Sequence, residues 1–70
     1  MNTISIESEY ITLGQFLKLV DYISSGGQAK FFLSENEVFV NENLENRRGL
    51  KLYNDDSVSI NGEEFRIVCI

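Results

Sequence analysis

Seventy residues make one small domain, which buries only about 60% of the surface its unfolded chain exposes and has no room for a deep enzyme cleft. A hydrophobic fraction of 43%, with five Phe and three Tyr, is the composition of a globular chain rather than a disordered one. Six basic against eleven acidic residues give −5 at pH 7, which taken bluntly argues against nucleic acid, and one Cys with no His excludes Cys/His zinc sites, His-based triads and an internal disulfide.

In chain order, Ile4-Ser5-Ile6 alternates at period two and predicts a short strand, followed by a polar connection over Glu7-Ser8-Glu9-Tyr10. Thr12 opens a helix. Its hydroxyl can accept from the helical amides and Gln15 stands three residues on, which makes a capping box. Leu13, Phe16, Leu17, Val20 and Ile23 form its apolar stripe, with Gly14, Lys18 and Asp21 off it. Ser24-Ser25-Gly26-Gly27 ends that helix, the glycines permitting positive φ. A second helix follows over Gln28–Glu35. Ala29, Phe32 and Leu33 share one face and Phe31 points about 100° away. Asn36 suits a left-handed C-cap.

The remainder reads as four or five short strands. Glu37–Asn41 is strand-like, Asn41-Glu42-Asn43 is a tight turn, and Leu44-Glu45-Asn46 returns. Arg47-Arg48-Gly49 is loop-like, Leu50-Lys51-Leu52 resumes an alternation, and Asn54-Asp55-Asp56 is a second turn. Ser57–Ile60, Asn61-Gly62 and Glu63–Cys69 form the clearest hairpin in the chain. Two helices joined by a glycine turn cannot bury two apolar stripes alone, so they must pack on the sheet. The expected fold is α+β: two N-terminal helices on a small, mostly antiparallel sheet ending in a β-hairpin, all in a single domain over residues 1–70. If Phe65–Ile70 lies at the sheet edge, it could pair with a neighbouring chain.

The run Ser25-Gly26-Gly27-Gln28-Ala29-Lys30, then Leu33, then Glu37-Val38-Phe39-Val40-Asn41, then Asp56 with Val58 and Ile60, resembles the S4 RNA-binding domain. Tyr10–Lys18, Ser25–Lys30 and Glu45-Asn46-Arg47-Arg48-Gly49 are similar to the small stand-alone S4-like group often called YaaA, over roughly residues 8–60. The resemblance implies a non-catalytic RNA-binding protein of the bacterial cytoplasm, on or near the ribosome, with ribosomal RNA or tRNA as partner and ribosomal proteins as possible neighbours. The chain also departs from the family. Wider S4 domains often carry Arg and Asp around the first helical Leu and an Arg early in helix two, where this chain has Thr12, Gly14 and Gly26. No RNA contact carries over to those three positions. The family's turn glycines fall on Asn36, Glu42 and Asp55. Glu42 would cost about 1 kcal/mol in the left-handed region unless the turn shifts its positive φ onto Asn43.

The charge distribution sharpens the −5. Residues 1–17 carry −2, residues 18–51 carry five basic and five acidic groups, and residues 52–70 carry −3. The candidate RNA-binding residues lie in the middle: Lys18, Gln28, Lys30, Phe31, Arg47, Arg48 and Lys51. Arg47, Arg48 and Lys51 are the densest basic run. Read plainly they form a solvated loop balancing Glu42 and Glu45; read functionally, the Arg forks grip phosphate. Lys30, on the first turn of helix two, could seat a phosphate beside free amides, with Gln28 adding a hydrogen bond. Lys18 reads equally as a solvent-facing or an RNA-contacting residue. Phe31 reads first as packing and second as a ring for an unpaired base. Tyr10 and Tyr22 read as core or rim, and Cys69 as inert packing.

A second reading from a different class is a protein-interaction module whose acidic surface meets a basic partner. A β-grasp sulfur carrier is disfavoured, since such carriers end in Gly-Gly and this sequence ends Val68-Cys69-Ile70. No catalytic residue, cofactor, metal, membrane span or signal peptide is expected.

Overall fold

Thr12 starts the first helix with the reciprocal bonds its sequence predicts. The Gln15 amide donates to Thr12 Oγ1 at 3.3 Å, and the Thr12 amide donates to Gln15 Oε1 at 3.0 Å. In the computed structural model, which describes residues 2–70, this helix, α1, spans Leu13–Leu19 and stops a turn short of the predicted stripe. Asp21 takes φ 65°, its amide reaches Lys18 O at 3.2 Å and the Tyr22 amide reaches Leu17 O at 3.0 Å. That bond pair is a Schellman ending with Asp, not Gly, at the left-handed position. Ile23 is still buried, but as core from the connection that follows.

Gly26 and Gly27 therefore do not end α1. They begin the second helix as a 3₁₀ turn, Gly26–Gln28, which runs into α2, Ala29–Glu35. Neither glycine has positive φ, and a Cβ at either would meet no atom within 4 Å. Asn36 likewise leaves α2 in extended backbone (φ −132°) rather than left-handed, and caps it with its side-chain amide on Phe32 O at 3.0 Å.

Two strands precede the helices, so the helices are not N-terminal in the order of elements. They are β1 (Asn2–Ile6) and β2 (Ile11–Thr12). After α2 come β3 (Val38–Val40), β4 (Asn43–Leu44), β5 (Lys51–Leu52), β6 (Ser57–Ile60) and β7 (Glu63–Cys69). The main sheet has the order β1-β7-β6-β3-β4, antiparallel except for β1, which pairs parallel with β7. The last strand is thus interior, flanked on both sides, and not open to a second chain. Antiparallel β2 and β5 form a separate two-stranded ribbon.

Both tight turns of the sheet use left-handed backbone. Asn61 and Gly62 take φ 49° and 93°, as the Asn-Gly hairpin requires. Asn41 and Glu42 take φ 50° and 71°, so the strain stays on Glu42 and does not move to Asn43. Asp55 also accepts the left-handed conformation, at φ 72°. Asp56 then ties two turns together, accepting from the Tyr53 amide at 2.7 Å and from Asn41 Nδ2 at 3.0 Å.

Pleating sends Val38 and Val40, Val58 and Ile60, Phe65 and Ile67, and Ile6 to one side of the sheet, where they meet Leu13, Phe16 and Leu17 of α1 and Ala29 and Leu33 of α2. Phe16 is fully buried and packs edge-on to Phe65, ring centroids 5.3 Å apart at 82°. Cys69 is half-buried, its thiol donating to Glu9 O at 3.3 Å. Among the described residues no helix is long and apolar enough to cross a membrane.

Candidate nucleic-acid interface

The basic loop 47–50 is held against the start of α1 by its own carbonyls. Leu13 N donates to Leu50 O and Gly14 N donates to Arg48 O, both at 2.8 Å. The first amides of α1 are thereby occupied, and the loop gains a fixed seat instead of waving in solvent. Gly14 permits the approach: a Cβ there would lie 3.3 Å from Arg48 O, 3.6 Å from Arg48 Cβ and 3.5 Å from Ala29 Cβ. α1, α2 and the loop therefore meet at one residue. Lys30 follows Ala29 directly in α2, and Lys18 lies one turn beyond Gly14 on α1.

All seven sequence-predicted site residues are exposed, in different circumstances. Lys30 lines an open cleft of about 560 Å³ between α2 and the 44–46 segment, which also carries Glu37 and Glu45 on its walls. Gln28 is committed locally. Its Oε1 accepts from the Ser24 amide at 2.7 Å, Ser24 Oγ at 2.9 Å and the Ser25 amide at 3.1 Å, so it caps the 3₁₀ turn. Phe31 does not pack on the hairpin or on α1. It is 58% exposed, on the outward face of α2, because Ala29 and Leu33 take the inward face. It borders a groove of about 290 Å³ with Tyr22, Phe32 and Glu35, where Tyr22 and Phe32 stack edge to face at 5.5 Å. The Tyr22 hydroxyl donates to Glu63 Oε1, which with partial burial raises its pKa above the ordinary value.

Arg47 meets the plain reading in part. Its Nε donates to Glu45 Oε2 at 2.7 Å and its Nη2 to Glu45 Oε1 at 3.1 Å, so half of its fork is taken. That bidentate pair holds the Glu45 carboxyl below the usual carboxylate range, against the opposing effect of burial. The folded state then keeps Glu45 ionised where the unfolded chain would protonate it. The pair's contribution to stability is present above the ordinary value of 4.5 and is lost as pH falls through the lowered folded value. A Glu45→Gln variant is expected to lose less stability than the wild type on that descent, read as urea midpoints from about pH 6 to about pH 3. Parallel pH dependence in the two proteins would refute it.

Lys51, in β5, lies beside an aromatic ring. Its Nζ lies 4.8 Å from the centroid of the Tyr10 ring, and Tyr10 and Tyr53 rings approach to 5.8 Å at 49°. Tyr53 has no sequence signal of its own. It is brought to Tyr10 by the pairing of Ile11 with Leu52, a long-range contact between two-residue strands. Gly14 was equally unmarked, since a glycine off an apolar stripe does not announce a close approach.

Comparison with known proteins gives the family. A model of the S4 domain family matches residues 4–68. A Bacillus subtilis (strain 168) protein described as a probable ribosome maturation protein, RlbA, is 66% identical over 61 residues, covering 87% of this chain and 86% of its own length.

Proposed function

The chain belongs to the S4 domain family, and on that premise we propose that it binds structured ribosomal RNA as the ribosome matures, in the cytoplasm, as a single domain without catalysis of its own. The observation that supports this reading is the Gly14 junction, where the loop that carries Arg48, the helix that carries Lys18 and the helix that carries Lys30 come into contact. Three cations on separately anchored elements suit phosphates of a folded RNA better than those of an extended strand, because their spacing is fixed before binding. The relative's description as a ribosome maturation protein favours ribosomal RNA over tRNA. A net charge of −5 and carboxylates on the cleft walls disfavour indiscriminate RNA, so affinity depends on a matching shape.

Titration with ribosomal RNA fragments at several salt concentrations tests the reading. Removing one phosphate-bound cation flattens the slope of log K against log salt by about 0.7–0.9. Lys18→Ala, Lys30→Ala and Arg48→Ala combined are expected to flatten it by about 2 and weaken binding. An unchanged slope would refute the assignment.

A second reading, a basic protein partner, is favoured by the groove beside Phe31, whose apolar wall carries Glu35 and is joined through Tyr22 to Glu63. Ribosome association that persists in the triple variant and disappears in Phe31→Ala would move the interface there.

A further inference from the structure

Two exposed tyrosines beside a lysine are left unexplained by the Gly14 junction. The β2–β5 ribbon is only two residue pairs long, yet Leu52 is fully buried. Strand alternation therefore turns Lys51 and Tyr53 outward together. Tyr53 is 44% exposed and Tyr10 36%. Tyr53 walls an open depression of about 490 Å³ with Arg47, Gly49, Leu50 and Lys51. The Lys51 ammonium sits 4.8 Å from the Tyr10 centroid, which keeps the charge at the rim of this aromatic pair. Among the described residues no carboxylate lines the depression, in contrast to the cleft beside Lys30.

We propose that this depression receives one unpaired nucleotide, its base stacked on Tyr53 and its phosphate held by Lys51 and the free half of the Arg47 fork. The proposal rests on the RNA-binding reading and adds to it what kind of RNA is preferred: a helix interrupted by a bulged or flipped-out base, next to the phosphates gripped at the Gly14 junction. The chemistry fits on three counts. The volume accommodates a nucleotide. A tyrosine ring offers a π-face at little entropic cost. Arg and Lys stand on one rim where the sugar–phosphate backbone must pass. Gly49 adds no side chain to the depression, and Leu50, half-buried, gives it an apolar floor.

The test uses the full chain and two stem–loop RNAs of equal length, one fully paired in its stem and one with a single-nucleotide bulge. The chain has three Tyr and no Trp, so the part of the tyrosine emission change that is lost in a Tyr53 variant reports the site. The wild type is expected to prefer the bulged RNA by about fivefold to a hundredfold, with quenched emission, as base–aromatic stacking energies require. Tyr53→Phe should keep the preference. Tyr53→Leu, which keeps apolar bulk and removes the π-face, should abolish it while leaving affinity for the paired RNA unchanged. Equal wild-type affinity for the two RNAs, or a preference that survives in Tyr53→Leu, would overturn the nucleotide site alone. Failure of the wild type to bind any ribosomal RNA fragment would overturn the RNA reading and this proposal with it.

Discussion

A Phe16→Ala variant is expected to lose about 3–5 kcal/mol of stability. Phe16 is fully buried and is the largest of the fully buried side chains. It is also the residue through which α1 grips the sheet, by its edge-on contact with Phe65 of β7. Domains hold about 0.05–0.15 kcal/mol per residue, or roughly 3.5–10 kcal/mol at this length. The substitution therefore removes a third of the total or all of it. Urea denaturation followed by circular dichroism is the measurement. A cooperative transition within about 1 kcal/mol of the wild type would show that the helix is held by something other than this core.

The second large effect is expected at Gly14. Alanine there meets Arg48 O at 3.3 Å, a tight fit offset by the roughly 1 kcal/mol that alanine gains over glycine inside a helix, so Gly14→Ala should be near neutral. Gly14→Val adds two γ-carbons against the same carbonyl and against Ala29. It must push the 47–50 loop off α1 or part the helices, at a cost of about 1–3 kcal/mol. The first movement breaks the Gly14–Arg48 backbone bond and frees the loop that carries Arg48; the second shifts α2, which carries Lys30, relative to α1. RNA affinity should thus fall in Gly14→Val although no charge has been removed. Equal stability and affinity in Gly14→Val and the wild type would refute the role given to this contact.

Much of this fold was legible because the signals were local. The Thr12–Gln15 capping box, the Asn61-Gly62 hairpin and the Ser57–Ile60 alternation each act within a few residues, and each formed as expected. Errors arose where two local solutions compete. Asp21 ended α1 in a Schellman turn before the glycine pair was reached, leaving Gly26 and Gly27 free to be helical. Glu42 kept its left-handed backbone because the Phe39–Leu44 and Val40–Asn43 register leaves only Asn41 and Glu42 to turn the chain. The basic residues were visible as residue types, but their grouping was not. Whether Arg47 is free depends on Glu45, whether Gln28 is free depends on Ser24 and Ser25, and the Tyr10–Tyr53 pair exists only through a strand pairing that spans most of the chain.

The parallel seam between β1 and β7 also bears on synthesis. Asn2 pairs with Phe65 and Ile6 with Cys69, so the first strand made must wait for the last. At roughly 5–20 residues per second, that wait lasts roughly 3–13 s. Through it Ile4 and Ile6 have no sheet partner, and Val58 and Ile60 have only β3. The β3–β4 hairpin and both helices can assemble from near neighbours, but the sheet closes only when β7 pairs with both β6 and β1. A nascent chain halted before residue 63 therefore lacks the strand that joins β1 to β6, and β1 stays outside the sheet until β7 is made.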